Sequence, residues 1–290
     1  MNEETIKVFA DKECFYKMCL EQGVELPVTY FPQNLRDVKS FSQELCYPCI
    51  IKPSFPHLWR RKLRGAKVIH IRNPQELISE YERIHHWDKH VVIQEVIPGE
   101  ENRIFIFGGY FNKNSEPLAV FTGRKLRQFP PKFGSASLAE SVWKPEIAEM
   151  SITLLKKLKF SGICGTEYKL DPRDNRFKMM EINQRHCLWC SLIEASGVPF
   201  TYVSYRDLIG DPLSVTYRQT EGIKRIYTAR DIASSFSYMF SGELTLGDWY
   251  RSVRHKKIHA ILAYDDIQPA VMQPICLAIE FWEYFLKHRN

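Results

Sequence analysis

Residues 167–185 read EYKLDPRDNRFKMMEINQR, with two glutamates at nearly mirror-image places about a turn-rich centre. That centre, Asp171-Pro172-Arg173-Asp174-Asn175, is a turn signal. Proline presets φ, and Asp and Asn side chains bond their own backbone. On either side, Thr166 to Leu170 and Phe177 to Asn183 alternate in residue type, as paired strands do. A hairpin pivoting there puts Glu167 opposite Glu181 and Lys169 opposite Met179, with Asn183 further along the same face. Like charges directly opposed in a sheet destabilise it. Something must neutralise the pair, and a divalent cation is the economical candidate.

Working outward, Asp11 starts a helix in which Phe15, Met18 and Cys19 follow helical spacing and Gly23 closes. CIIKP, Cys49 to Pro53, is a short apolar strand carrying Lys52, followed by the basic loop SFPHLWRRKLRGAKV. Val68 to Ile71 is a strand, and Asn73-Pro74-Gln75-Glu76 starts a helix with proline at its first position and a capping-box pattern. Val91 to Gly99 is a further strand ending in a Pro-Gly turn. RIFIFGGYF and LAVFTGRKL read as an antiparallel pair, RQFPPKFGSAS as a loop, and Pro145 to Lys159 as a helix with one apolar stripe. Helices beside antiparallel strands in two successive blocks predict an α+β protein of two lobes. The expected division is 1–48, N-terminal helix and connection; 49–100, first lobe; 101–205, second lobe; and 206–290, a mixed appendage whose chemistry the sequence does not spell.

The chain has 290 residues, 44% hydrophobic and 26% charged, with formal net charge +6. That composition is ordinary for a globular protein, and the mild basicity suits an anionic ligand such as a nucleotide. The basic run RRKLR lacks the aromatic interleaving of a nucleic-acid surface, so no nucleic acid is expected. The N-terminus has acids where a signal peptide needs a basic region, and no stretch approaches the roughly 18 apolar residues of a membrane span. A cytoplasmic protein without a membrane span is expected, its apolar tail CLAIEFWEYFLKH a docked amphipathic helix. Two CxxC pairs, Cys46/Cys49 and Cys187/Cys190, lie too far apart in sequence for a zinc ribbon, so reduced thiols are the reading.

A strand bearing lysine, a strand ending Gln-Glu-x-Ile-Pro-Gly, then Glu…Glu-x-Asn-x-Arg is an ordered set that resembles the ATP-grasp superfamily. The resemblance covers about residues 8 to 205 and is of the carboxylate–amine ligase type. TGRKLRQFPPKFG and the terminal appendage are similar to D-aspartate ligase-like and carboligase members. It implies an ATP-grasp fold and an enzyme that uses ATP and magnesium (or manganese) to activate a small carboxylate as an acyl phosphate for attack by an amine. An amino acid or derivative is the substrate class it suggests. Carried over by motif, Lys52 holds the nucleotide's phosphates, and Lys12 resembles another nucleotide-side lysine. Glu95, Val96 and Ile97 supply backbone groups to the adenine edge, and Glu101 bonds the ribose. Glu167, Glu181 and Asn183 are the metal ligands, and Arg185 binds phosphate or acyl phosphate. Lys125, flanked by Arg124 and Arg127, either touches phosphate or substrate or belongs to an ordinary basic loop. Two carboxylates and an amide carbonyl are the hard oxygen donors magnesium takes, and phosphoryl transfer asks the protein mainly for positioning and charge.

Two departures from the family accompany this. Where many members have a glycine-rich loop after the strand-end lysine, this chain has His57, Trp59, Arg60, Arg61, Lys62 and Arg64 with Gly65 alone. Either side-chain cations replace backbone donors or the loop grips something else. The Rossmann-like domain usual before the equivalent of Asp11 is replaced by ten residues. The expected alternatives are a partner protein supplying that domain, a homodimer, an appendage that substitutes for it, or a nucleotide-binding partner subunit or pseudoenzyme. Specificity is expected in Gln128 to Ser137, Gln184 to Cys190 and the appendage.

Overall fold

The Asp171–Asn175 turn closes as its chemistry requires. The Asn175 amide donates to the Asp171 carbonyl (2.8 Å), Asn175 adopts φ 57°, and Asp171 Oδ1 accepts from the Arg173 amide. In the computed structural model, which describes residues 8–55, 59, 68–211, 217–254, 256–273 and 275–276, it joins strands β8 (Gly162–Leu170) and β9 (Phe177–Asn183). Glu167 pairs with Glu181 and Gly165 with Asn183. The expected partner of Lys169 is corrected: Lys169 faces Lys178, and Met179 faces Tyr168, because the register shifts between Glu167 and Tyr168. Met180 is the extra residue, and a bulge of this kind turns the following side chains without any signal in alternation.

The fold is α+β and built on two sheets. The smaller one has order β1-β4-β2-β3, from Thr29–Tyr30, Val91–Glu95, Cys49–Pro53 and Ile69–Ile71. Helices α2 (Leu35–Phe41) and α3 (Pro74–His85) pack on it through Val38, Leu77, Tyr81 and Ile84 against Ile51, Ile71 and Ile93. Asn73 caps α3 at the Glu76 amide, while the Glu76 carboxylate reaches back to the Arg72 amide. Trp59 is a core residue, its Nε1 donating to Asp88 Oδ2 (2.6 Å). The rest of the basic stretch around it, with the arginines, lysine and glycine named above, lies outside the described residues, as does the tail from 277 onward, where an amphipathic helix is expected.

The larger sheet has order β11-β10-β7-β6-β5-β8-β9. Its central strands are β5 (Ile104–Phe111), β6 (Pro117–Phe129) and β7 (Ser135–Ser141). The stretch expected as a loop, Arg127 to Ser137, is thus corrected: β6 runs to Phe129 and β7 begins at Ser135. Its Pro, Gly and Ser content marks only the short turn between. Helix α4 (Pro145–Lys157) covers one face, burying Ile147, Leu154 and Leu155 against Phe107, Phe111 and Tyr168. Helices α5 (Cys190–Ala195) and α6 (Phe200–Leu208) cover one end of the other face. A Cβ at Gly108 would lie 2.7 Å from Ile193 Cδ1, so glycine there is what lets α5 approach.

The described residues beyond 206 add two strands to this sheet. Strand β10 (Lys224–Ile226) pairs antiparallel with β7 and parallel with β11 (Lys257–His259). Between them run α7 (Thr228–Phe240) and α8 (Leu246–Val253). A fully buried Asp231 on α7 receives both Nε and Nη2 of Arg127 at 2.9 Å, with Ser137 Oγ and Trp249 Nε1 completing its shell. No helix among the described residues is long and apolar enough to cross a membrane.

Candidate active site

Helix α1 (Lys12–Glu21) ties the two sheets together, capped by Asp11 at the Glu13 and Cys14 amides. The Lys12 amide donates to the Ser54 carbonyl beside the smaller sheet, and the Tyr16 hydroxyl donates to the Met180 carbonyl of the larger one. Tyr16 also accepts from Lys52 Nζ (2.6 Å), which bonds Gln94 Oε1 at 2.7 Å. Lys52 is buried without a carboxylate in salt-bridge contact among the described residues. Burial and the nearby Lys12 push its pKa down to about 7. Such an ammonium gains most from an incoming anion.

The face carrying Glu167, Glu181 and Asn183 opens toward these lysines. The like-charged pair is indeed neutralised, and by lysines from far apart in the chain. Lys12 Nζ meets Glu181 Oε1 at 2.9 Å, and Lys125 Nζ meets Glu167 Oε2 at 3.3 Å. Lys125 is nearly buried, whereas the Glu181 and Glu167 side chains are 43% and 28% exposed, so the acids remain reachable. Arg185 is exposed, with Nη2 donating to Asn183 Oδ1 (3.3 Å). Among the described residues no three His, Cys, Asp or Glu side chains converge as a metal cage. Glu167, Glu181 and Asn183 instead offer a partial set of hard oxygens of the kind magnesium takes.

The strand-end segment is firmly held. Glu95 is buried, accepting from the Val28 amide (2.9 Å) and from Arg173 of the β8–β9 turn (2.8 Å). The Glu95 and Val96 amides donate to the Val28 and Pro48 carbonyls. The Ile97 carbonyl accepts from Lys169, which also reaches Gly99. The Ile97 amide bonds no backbone carbonyl among the described residues. Glu101, in a short 3-10 turn, accepts at Oε1 from Gln128 Nε2, the Lys132 amide and the Tyr238 hydroxyl. Gln128 in turn accepts from Lys125 (3.3 Å), so polar side chains connect Glu167 to Glu101.

Three contributors were not singled out from sequence as site residues. Tyr16 and Gln94 hold Lys52; a tyrosine one helical turn after Lys12 was the available signal. Arg225 shares the face of Lys125 through their common neighbour Ala139. It is buried, its Nε donates to Ser191 Oγ (3.0 Å), and burial lowers its pKa. No carboxylate pairs with it among the described residues, an uncommon state for a buried guanidinium. Nearby, Cys190 Sγ donates to the Cys187 carbonyl and lies 3.5 Å from His186 Nδ1; all described cysteines are free thiols.

The model of the carbamoyl-phosphate synthase L chain ATP-binding domain matches residues 131–215. The large chain of carbamoyl phosphate synthase from Thermoanaerobacter pseudethanolicus is 24% identical over 223 residues, covering 71% of this chain and 19% of that one. D-aspartate ligase of Enterococcus faecium is 23% identical over 186 residues, 60% of this chain and 44% of the ligase. This chain therefore spans a minor part of the curated relatives it matches. Among solved structures, the biotin carboxylase domain of Hydrogenobacter thermophilus 2-oxoglutarate carboxylase, in complex with MgADP, superposes with TM-score 0.60 at 17% identity. That match covers 74% of this chain and 48% of the other, and is a likeness of fold.

Proposed function

We propose, on the premise that this chain has the ATP-grasp fold, that it is an ATP-dependent ligase joining a small carboxylate to an amine. The observation that carries this is the Glu167–Glu181–Asn183 face, with Lys12, Lys52 and Lys125 converging on it from three different elements. The residues fit a magnesium ion as partial ligands. When bound, the ion would draw charge from the phosphates and hold them in line. In this assignment residues 49–100 are the nucleotide side, 101–205 the metal and phosphate side, 1–48 the tie between them, and 206–290 an appendage.

Lys52 and Lys12 take the phosphates, Lys12 leaving Glu181 for the anion. The segment Glu95 to Ile97 meets the adenine edge, with the Ile97 amide as its donor, and Glu101 takes the ribose. A substrate carboxylate oxygen attacks the γ-phosphorus and ADP leaves, giving an acyl phosphate. Arg185 and Lys125 steady the transferring group. The amine nitrogen then attacks the acyl carbon, the carbon–oxygen bond breaks, and phosphate departs as the nitrogen loses its proton. Arg225, buried and without an acid among the described residues, suits the carboxylate of an amino-acid substrate. A cytoplasmic setting, where ATP is supplied, goes with this proposal.

The test is ADP release by the purified chain with Mg-ATP and a panel of amino acids and amines. Amide product with stoichiometric ADP and phosphate supports the ligase. Mg-ATP binding with no ADP release across the panel assigns instead a nucleotide-binding partner subunit, and absence of Mg-ATP binding removes both.

A further inference from the structure

Glu101 is held in an unequal way. Its Oε1 accepts from three donors: Gln128 Nε2 at 2.8 Å, the Lys132 amide at 2.7 Å, and the Tyr238 hydroxyl. Its Oε2 is buried and bonds nothing among the described residues. Leaving a buried carboxylate oxygen unpaired is costly, whereas three donors on the other oxygen fix the direction in which it points. One of those donors comes from the C-terminal segment, from the last turn of α7, more than a hundred residues from Glu101 in sequence. The helix is anchored two turns earlier by the Arg127–Asp231 pair, so Tyr238 stands on a rigid support. Burial and the neighbouring Glu101 carboxylate raise the Tyr238 pKa, which keeps its hydroxyl a donor throughout the working pH range.

We propose that Tyr238 is a positioning residue that aims Glu101 Oε2 at a ribose hydroxyl of the nucleotide, making the C-terminal segment part of the nucleotide site. This rests on the nucleotide reading above. A carboxylate already oriented loses less freedom when the ligand arrives, and the ribose O–H supplies the donor that Oε2 lacks. A merely structural tie between α7 and the sheet makes a different forecast: its loss weakens every nucleotide alike, with or without ribose hydroxyls.

The experiment is calorimetric binding of ADP, 2′-deoxy-ADP and 3′-deoxy-ADP to the full chain, wild type and Tyr238→Phe. Wild type is expected to bind ADP about tenfold tighter than the analogue lacking the bonded hydroxyl, as for one hydrogen bond to a charged group. Tyr238→Phe should lose most of that ratio while its affinity for the deoxy analogue stays the same. Glu101→Gln should lose the ratio too, and adding Tyr238→Phe to it should change nothing further. If the Phe variant does not fold, Gln128→Met removes another donor from the same oxygen and should give the same pattern. A ratio that persists in Tyr238→Phe, or equal weakening of all three ligands, overturns the proposal while leaving nucleotide binding intact. Wild type that binds no adenine nucleotide overturns the nucleotide reading and this inference with it.

Discussion

Raising the pH above neutrality should weaken nucleotide binding through Lys52 alone. Its ammonium is moved from 10.5 to about 7 by burial and by Lys12, which disfavours the charged form by about 5 kcal/mol. The sign for stability follows from linkage. Between pH 7 and 10.5 the unfolded chain binds more protons at this site than the folded one, so the ligand-free protein gains stability as pH rises through that window. A bound phosphate reverses the preference by restoring the charged lysine, so binding takes up a proton. With a free-state pKa of about 7 and a phosphate that restores ordinary lysine titration, affinity should fall about twentyfold from pH 7.5 to 9. ADP changes its ionisation little across that range, since a terminal phosphate loses its last proton at about pH 6 to 7. Calorimetry in two buffers of different ionisation enthalpy measures both the affinity and the proton uptake. Lys52→Met should bind weakly and lose the pH dependence together. A flat profile with no proton uptake in the wild type would refute the view that a neutral-prone Lys52 meets the phosphates.

Other substitutions separate the roles. Glu181→Gln should abolish ADP release while changing Mg-ATP affinity far less, because it acts on the transferring phosphate; equal losses in both would contradict that assignment. Arg225→Met should raise KM for the carboxylate substrate without changing ATP affinity, read from initial rates at fixed saturating ATP. Asp231→Asn leaves the buried Arg127 without its charge partner and should cost about 3–5 kcal/mol of stability, seen in urea unfolding. Arg173→Ala strips Glu95 of its partner across the two sheets. It should lower thermal stability by several degrees and leave the Glu167–Glu181 pair in place.

The hairpin was legible because alternation and a Pro-Asp-Asn turn fix its ends. Strand β9 runs from Phe177 to Asn183 as read, and Glu167 does face Glu181. The register beyond that pair was not legible, since the bulge at Met180 leaves no mark in residue type. Nor was the source of neutralising charge. Lys12 and Lys125 reach the acids from a helix and a strand far away in sequence, contacts that no local pattern encodes. Strand β7 hid behind Pro, Gly and Ser, and the strands at Lys224–Ile226 and Lys257–His259 are too short to show periodicity. They exist because β7 offers an edge. Arg225 and Tyr238 were invisible for the same reason, each meaningful only once the final segment is laid beside β6 and β7.

The proposal that Glu167, Glu181 and Asn183 form the oxygen platform for a metal–nucleotide complex is tested most directly by titrating the purified chain with ATP, once with magnesium and once with the metal chelated. Binding that strengthens markedly with magnesium, and that keeps most of this gain in Glu181→Gln because Glu167 and Asn183 remain, is the expected result. ATP binding of equal strength with and without magnesium, or no binding in either condition, would contradict it.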